Sequence, residues 1–201
     1  MMEINTPADM DKKYHKLILV TAPSGSGKTS IVKFLIRKFP VLAFSVSATT
    51  RKPRSNEKDG VDYYFISQES FEKKIHEKEF LEWEMVYEGK YYGTLKSEIE
   101  RLWSEGRVPI LDIDVQGAIH VQQHYPVNTM VVFVQAPSAE ELRRRLESRG
   151  SETLESLEAR VSKSAYEMTF KKHFDKVVIN RDFDTACQEA AGLVEDFLAK
   201  P

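Results

Sequence analysis

The sequence predicts an α/β fold: a parallel sheet flanked by helices, with a small mixed β insertion built onto it. Three observations carry this reading. Short, wholly apolar runs, suited to strands buried on both faces, recur along the chain. They alternate with longer stretches of helical period, as a parallel sheet with crossover helices requires. One tract, residues 47–102, breaks the alternation and is rich in Tyr, Glu and Lys.

The elements follow in order. Residues 17–20 form an unbroken apolar run, read as a buried strand. A Gly-rich turn leads to a helix over 30–39, carrying Ile31, Phe34 and Leu35 and stopped by Pro40. Residues 41–46 read as a second strand. The tract 47–102 holds short alternating runs at 63–65 and 91–92, with turn signals at Asp59-Gly60 and Glu88-Gly89. It is read as an insertion on the core, not a separate domain. Strands follow at 108–113 and 129–134. Ser138 and Glu141 make a capping box that opens a helix to about residue 149. A longer helix spans about 153–172, a fifth strand 176–179, and Asp182 caps a last helix carrying Phe183, Ala186, Ala190, Leu193 and Phe197. Residues 1–13 are polar, mixed in charge and read as a disordered tail, leaving a single domain over 14–201.

Composition excludes several classes of function. The chain has 201 residues, 41% of them hydrophobic, enough for a real core. A net charge of -2 argues against a bulk electrostatic grip on nucleic acid or an anionic membrane. No run approaches the ~18 apolar residues of a membrane span. Cys187 is the only cysteine, so an intramolecular disulfide and a Cys-based zinc site are excluded, and a cytoplasmic setting is expected. The five histidines show no metal-ligand spacing.

Thr21-Ala22-Pro23-Ser24-Gly25-Ser26-Gly27-Lys28-Thr29 lies between the first strand and the first helix, the context a phosphate-binding loop requires. Gly25 and Gly27 let consecutive N–H groups turn inward, and the helix N-terminus adds partial positive charge. Lys28 can reach the β- and γ-phosphates, and the Thr29 hydroxyl can ligate Mg²⁺. Ala22 stands where the motif has its first Gly. This loop indicates nucleoside triphosphate binding and leaves the phosphoryl acceptor open. Arg51 and Arg54, three apart around Pro53, form a candidate fork for a second phosphate, although two solvated surface charges fit that segment equally well.

The chain resembles guanylate kinases. The resemblance rests on the loop 22–29, on Ser45-Val46-Ser47-Ala48-Thr49-Thr50-Arg51-Lys52-Pro53-Arg54, and on Asp59-Gly60-Val61-Asp62-Tyr63-Tyr64-Phe65. It continues through Phe80-Leu81-Glu82-Trp83, Tyr91-Tyr92-Gly93-Thr94, residues 110–117 and residues 145–150, and covers almost everything from 17 to 200. It implies a three-layer P-loop kinase fold with a core (14–46 and 103–201), a GMP-binding insertion (about 47–102) and a helical lid (about 145–160). It also implies ATP- and Mg²⁺-dependent phosphorylation of GMP to GDP, in guanine nucleotide metabolism. Ser47, Glu82, Thr94 and Asp114 match positions that recognise guanine. Arg51, Arg54, Tyr63 and Tyr92 match those that hold the GMP phosphate. Residues Ala22, Pro23, Ser24, Gly25, Ser26, Gly27, Lys28 and Thr29 match the ATP-phosphate loop, and Asn180 a position beside the ATP base. Arg145, Arg149 and Arg160 match arginines near the transferred phosphoryl group.

Chemistry supports parts of this independently. Guanine presents adjacent N1–H and N2–H₂ donors that one carboxylate can accept, and adenine presents neither. Glu82 is thus a suitable residue type, but strand alternation puts Glu82 and Glu84 on one face and does not choose between them. Asp112 sits in an apolar strand, where a carboxylate needs a partner, so it is expected near Mg²⁺ through water. Arg145 and Arg149 share a helix face, whereas Arg143 and Arg144 are expected to be solvated. Two alternatives remain at this stage. One is a catalytically silent interaction module with this fold, which the intact Gly25, Gly27, Lys28 and Thr29 disfavour. The other is a P-loop kinase with another acceptor, which Ser47 and Glu82 disfavour.

Overall fold

The computed structural model describes residues 15–148, 154–174 and 176–200. The expected tail at 1–13 and residues 149–153 of the expected lid, Arg149 among them, lie outside the described residues. The core is a five-stranded sheet in the order β2-β7-β1-β8-β9, formed by β1 (Leu17–Thr21), β2 (Leu42–Phe44), β7 (Val108–Ile113), β8 (Thr129–Gln135) and β9 (Lys176–Ile179). Every pairing within it is parallel.

The apolar runs are continuous because both faces of this sheet are covered. Ile18 and Val20 point to one face, where they meet Ile31, Val32 and Leu35 of α1 (Lys28–Lys38) and Ala186, Ala190 and Val194 of α7 (Phe183–Ala199). Leu17 and Leu19 point to the other, among Ala118 and Val121 of α4 (Val115–His124), Phe133 and Phe174. Side chains alternate across a strand, so one strand serves both cores.

The insertion carries a four-stranded sheet in the order β4-β3-β6-β5, from β3 (Ala48–Thr49), β4 (Tyr64–Phe65), β5 (Phe80–Tyr87) and β6 (Lys90–Leu95). It is mixed: β3 runs parallel to β4 and antiparallel to β6. Two helices interrupt the expected β character. In α2 (Gln68–His76) the Ser67 side chain accepts from Ser70 N, and Phe71 stacks on Phe80. In α3 (Lys96–Ser104), Ile99 is buried in the core cluster beside Leu17 and Leu111, so this helix packs on the parallel sheet.

The remaining helices are α5 (Ala139–Glu147), capped by Ser138 as expected, and α6 (Leu154–Met168), which tightens into a 3₁₀ turn over Thr169–His173. The second strand is shorter than expected, because Val41 is exposed and only Leu42–Phe44 pair. Parallel pairing brings Thr21 level with Ile113 and Val20 level with Asp112. The carboxyl ends of β1 and β7 thus meet beside the phosphate loop, where open α/β sheets bind ligands.

Candidate active site

The loop between β1 and α1 adopts the geometry its residue types allow. Gly25 and Gly27 have φ of +91° and +92°, left-handed values that cost a side chain dearly. A Cβ on Gly27 would also lie 2.4 Å from Asn180 Nδ2, which donates to Ser26 O at 2.8 Å. Asn180 therefore holds the loop from beneath. Ala22 is buried and needs no positive φ, so the missing first Gly costs the turn nothing.

Lys28 reaches across the sheet ends. Its Nζ lies 2.8 Å from Asp112 Oδ1 and donates to Ile113 O at 2.7 Å. Burial alone would lower the Lys28 pKa, but Asp112, with Asp114 and Glu167 beyond it, raises it, and the ammonium stays charged. Thr29 Oγ1 donates to Asp112 Oδ2 at 2.7 Å. Asp112 is thus the partnered carboxylate its strand position demanded.

The insertion closes the other side. Strand register sets Glu82 opposite Thr94 and Glu84 opposite Tyr92. Glu82 is 7% exposed, and its Oε1 accepts the Thr94 hydroxyl at 2.6 Å. A Cβ on Gly117 would sit 2.7 Å from Glu82 Oε2, so a side chain there would push this carboxylate out of its place. Burial, opposed by the Thr94 bond and aided by nearby Asp114, pushes the Glu82 pKa up to about 7. Asp114 caps α4 by accepting from Gly117 N at 2.8 Å, and its other oxygen lies 4.0 Å from Lys163.

Arg51 lies under two tyrosines. Its guanidinium stacks 4.9 Å from the Tyr63 ring centroid, and its Nε donates to Tyr92 Oη at 3.1 Å. Arg54 has a largely exposed side chain. Ser47, Arg51, Arg54, Tyr63, Glu82, Tyr92, Asp112, Asp114, Arg160 and loop residues 22–29 all border one cavity of about 290 Å³. Thr94 stands behind Glu82. Arg145 does not border the cavity: it donates to Glu141 at 2.7 Å and to Asn180 O at 2.9 Å. Arg143 and Arg144 make surface ion pairs with Glu147, Glu158 and Glu141.

Sequence reasoning missed four contributors. Glu57 takes both terminal nitrogens of Arg51. Lys163 and Glu167 border the cavity from α6, and Ser164 Oγ donates to Ser24 O at 3.3 Å. A signal existed: Arg160, Lys163, Ser164 and Glu167 form a polar stripe at helical spacing, apart from the apolar positions Leu157, Val161, Ala165 and Met168. Among the described residues, no group of three or more His, Cys, Asp and Glu is placed to hold a metal on its own. None of the described helices is long and apolar enough to cross a membrane.

Comparison with known proteins agrees with this geometry. The guanylate kinase family model matches residues 14–197. Guanylate kinase from Bacteroides thetaiotaomicron is 45% identical over 185 residues, covering 92% of this chain and 91% of that one. The Porphyromonas gingivalis guanylate kinase is 41% identical over 186 residues, covering 92% and 99%. The crystal structure of guanylate kinase from Anaplasma phagocytophilum superposes with a TM-score of 0.74 at 28% identity, covering 92% of this chain and 87% of that one. With a phosphate loop and a buried, threonine-held glutamate facing one cavity, and with matches that span nearly its whole length, the chain belongs to the guanylate kinase family.

Proposed function

We propose that this protein transfers the γ-phosphoryl group of ATP to the phosphate of GMP, forming ADP and GDP. The observation that carries the reading is the single cavity that joins the phosphate loop to buried Glu82 and to the cluster of Arg51, Arg54, Tyr63 and Tyr92. A GMP phosphate oxygen attacks the γ-phosphorus, the bond to the β,γ-bridging oxygen breaks, and ADP leaves with that electron pair. No side-chain nucleophile is needed, so the protein's work is positioning and charge neutralisation.

Residues 22–29 and Lys28 cradle the ATP phosphates, with Asn180 holding the loop. Arg51, Arg54, Tyr63 and Tyr92 hold the acceptor phosphate. Ser47, Glu82, Thr94 and Asp114 read guanine, with Glu82 accepting from N1–H and N2–H₂. Arg145, Arg149 and Arg160 act from the lid side, and closure there excludes water that would otherwise hydrolyse ATP. The Thr29 hydroxyl and the Asp112 carboxylate, 2.7 Å apart, are hard oxygen donors that fit Mg²⁺. Thr29 would hold the ion directly and Asp112 through water. When bound, the ion neutralises charge on the phosphate oxygens. We assign the protein to a reducing cytoplasm on its one, buried thiol.

The test is a nucleotide panel. ATP and Mg²⁺ are supplied with GMP, AMP, CMP, UMP or no acceptor, and ADP release is followed. Release dependent on GMP is expected. Release with another acceptor would reassign the substrate, and none with any acceptor would leave a binding module.

A further inference from the structure

We infer that Glu57 is a positioning residue for the acceptor phosphate: it clamps Arg51 in the orientation that aims Tyr63 and Tyr92 into the cavity. The inference rests on the function proposed above. Glu57 Oε2 and Oε1 accept from the two terminal nitrogens of Arg51 at 2.6 and 2.7 Å, a bidentate pair. Glu57 is itself tied down. Its Oε2 also accepts from Arg54 N at 2.8 Å, and its own N donates to Arg54 O at 3.1 Å. Its side chain is 12% exposed. It therefore belongs to the 51–57 loop rather than resting on its surface.

The consequence for Arg51 follows by counting donors. Arg51 also donates from one terminal nitrogen to Lys52 O and from Nε to Tyr92 Oη. A guanidinium carries five N–H groups. Four are used, so Arg51 keeps one for a substrate and does most of its work as a platform. Tyr92 Oη accepts from Arg51, which leaves the Tyr92 O–H proton for a phosphate oxygen. Tyr63 stacks on the same guanidinium and meets the Tyr92 ring edge-on at 5.9 Å. Removing Glu57 frees the guanidinium and loosens both hydroxyls together. Glu57 Oε1 also lies 3.9 Å from Arg54 Nη1, so it faces both arginines, closely at Arg51 and loosely at the exposed Arg54.

A competing reading makes Glu57 an occupant of the phosphate position that GMP must displace. The two readings predict opposite signs. For Glu57→Gln, with wild type assayed in parallel, positioning predicts about a tenfold rise in KM for GMP, the scale of losing one charged hydrogen-bonding contact. It predicts kcat within twofold and KM for ATP unchanged. In an Arg51→Met background the same substitution should change KM for GMP less than twofold, because Glu57 acts through Arg51. A fall in KM for GMP would overturn the inference in favour of the occupant. Equal effects in both backgrounds, or equal rises in both KM values, would overturn it in favour of general loop damage. Should Glu57→Gln fold poorly by circular dichroism, Glu57→Asp takes its place, with the same split expected at smaller size. Wild type that does not use GMP would instead defeat the functional reading beneath it.

Discussion

Replacing Glu82 with Gln should move stability and activity in opposite directions. Gln keeps the shape and can still accept the Thr94 hydroxyl proton, but carries no charge. In the folded protein, burial raises the Glu82 pKa from 4.5 to about 7. Between those values the folded state holds this proton more tightly than the unfolded state. Wild-type stability therefore falls as pH rises through that window, and the cost is complete above pH 7. At 1.36 kcal/mol per pKa unit, the penalty reaches about 3 kcal/mol. Gln avoids it. Free Glu82→Gln protein should melt roughly 5 °C or more above wild type at pH 8, at ~2–4 °C per kcal/mol for a chain of this size. The gain should vanish near pH 4.5, where wild-type Glu82 is protonated too. Activity runs the other way. One guanine donor then faces an NH₂ group, and a charged hydrogen bond is lost, together costing kcat/KM for GMP ~10² or more. Use of AMP should fall far less, so the GMP/AMP ratio collapses. Glu84→Gln is the matched control: it borders the same cavity but is less buried, and should change kcat/KM for GMP under threefold. Thermal scans at pH 4.5 and 8, with coupled ADP-release assays, decide it. A lower melting temperature at pH 8, or an unchanged GMP/AMP ratio, would refute the account of Glu82.

Gly117→Ala places a Cβ 2.7 Å from Glu82 Oε2, so KM for GMP should rise at least ~10-fold, with KM for ATP unchanged; initial rates against each substrate check this. Lys28→Ala should lower kcat by ~10² to 10³, the scale of one preorganised charge donor. Because Lys28 is a half-buried partner of Asp112, it should also lose about 1–2 kcal/mol in urea unfolding, discounted for its partial exposure. Near-normal turnover would reject its place at the phosphates. Below pH 7 the fraction of ionised Glu82 falls, so KM for GMP should climb as pH drops. The acceptor phosphate titrates near ~6 in both proteins, so the wild-type to Glu82→Gln ratio isolates the carboxylate, and a pH-independent ratio would contradict its raised pKa.

Much of the parallel core was legible in one dimension, because a strand buried on both faces can tolerate only apolar residues. The run 17–20 follows directly from that, since all four of its residues are fully buried. The capping residues Ser138 and Asp182 were legible for a similarly local reason: each satisfies N–H groups within its own helix turn. The phosphate loop was legible because glycine and lysine at fixed spacing answer a backbone requirement set by the neighbouring turn. The helices α2 and α3 were not, since their short apolar stripes acquire meaning only against Phe80 and against the core cluster around Leu17. Nor could alternation alone separate Glu82 from Glu84. That choice depends on Thr94, twelve residues away and brought opposite by strand pairing, and on the missing side chain of Gly117, which leaves room for one carboxylate. Lys28 and Thr29 converge on Asp112 for the same reason, since parallel pairing of β1 with β7 closes a gap of more than eighty residues. Sequence alone settled what answers to local backbone and burial, namely the strands, the caps and the loop. The partners of each charge depend on contacts between distant segments, and those only the tertiary structure decided.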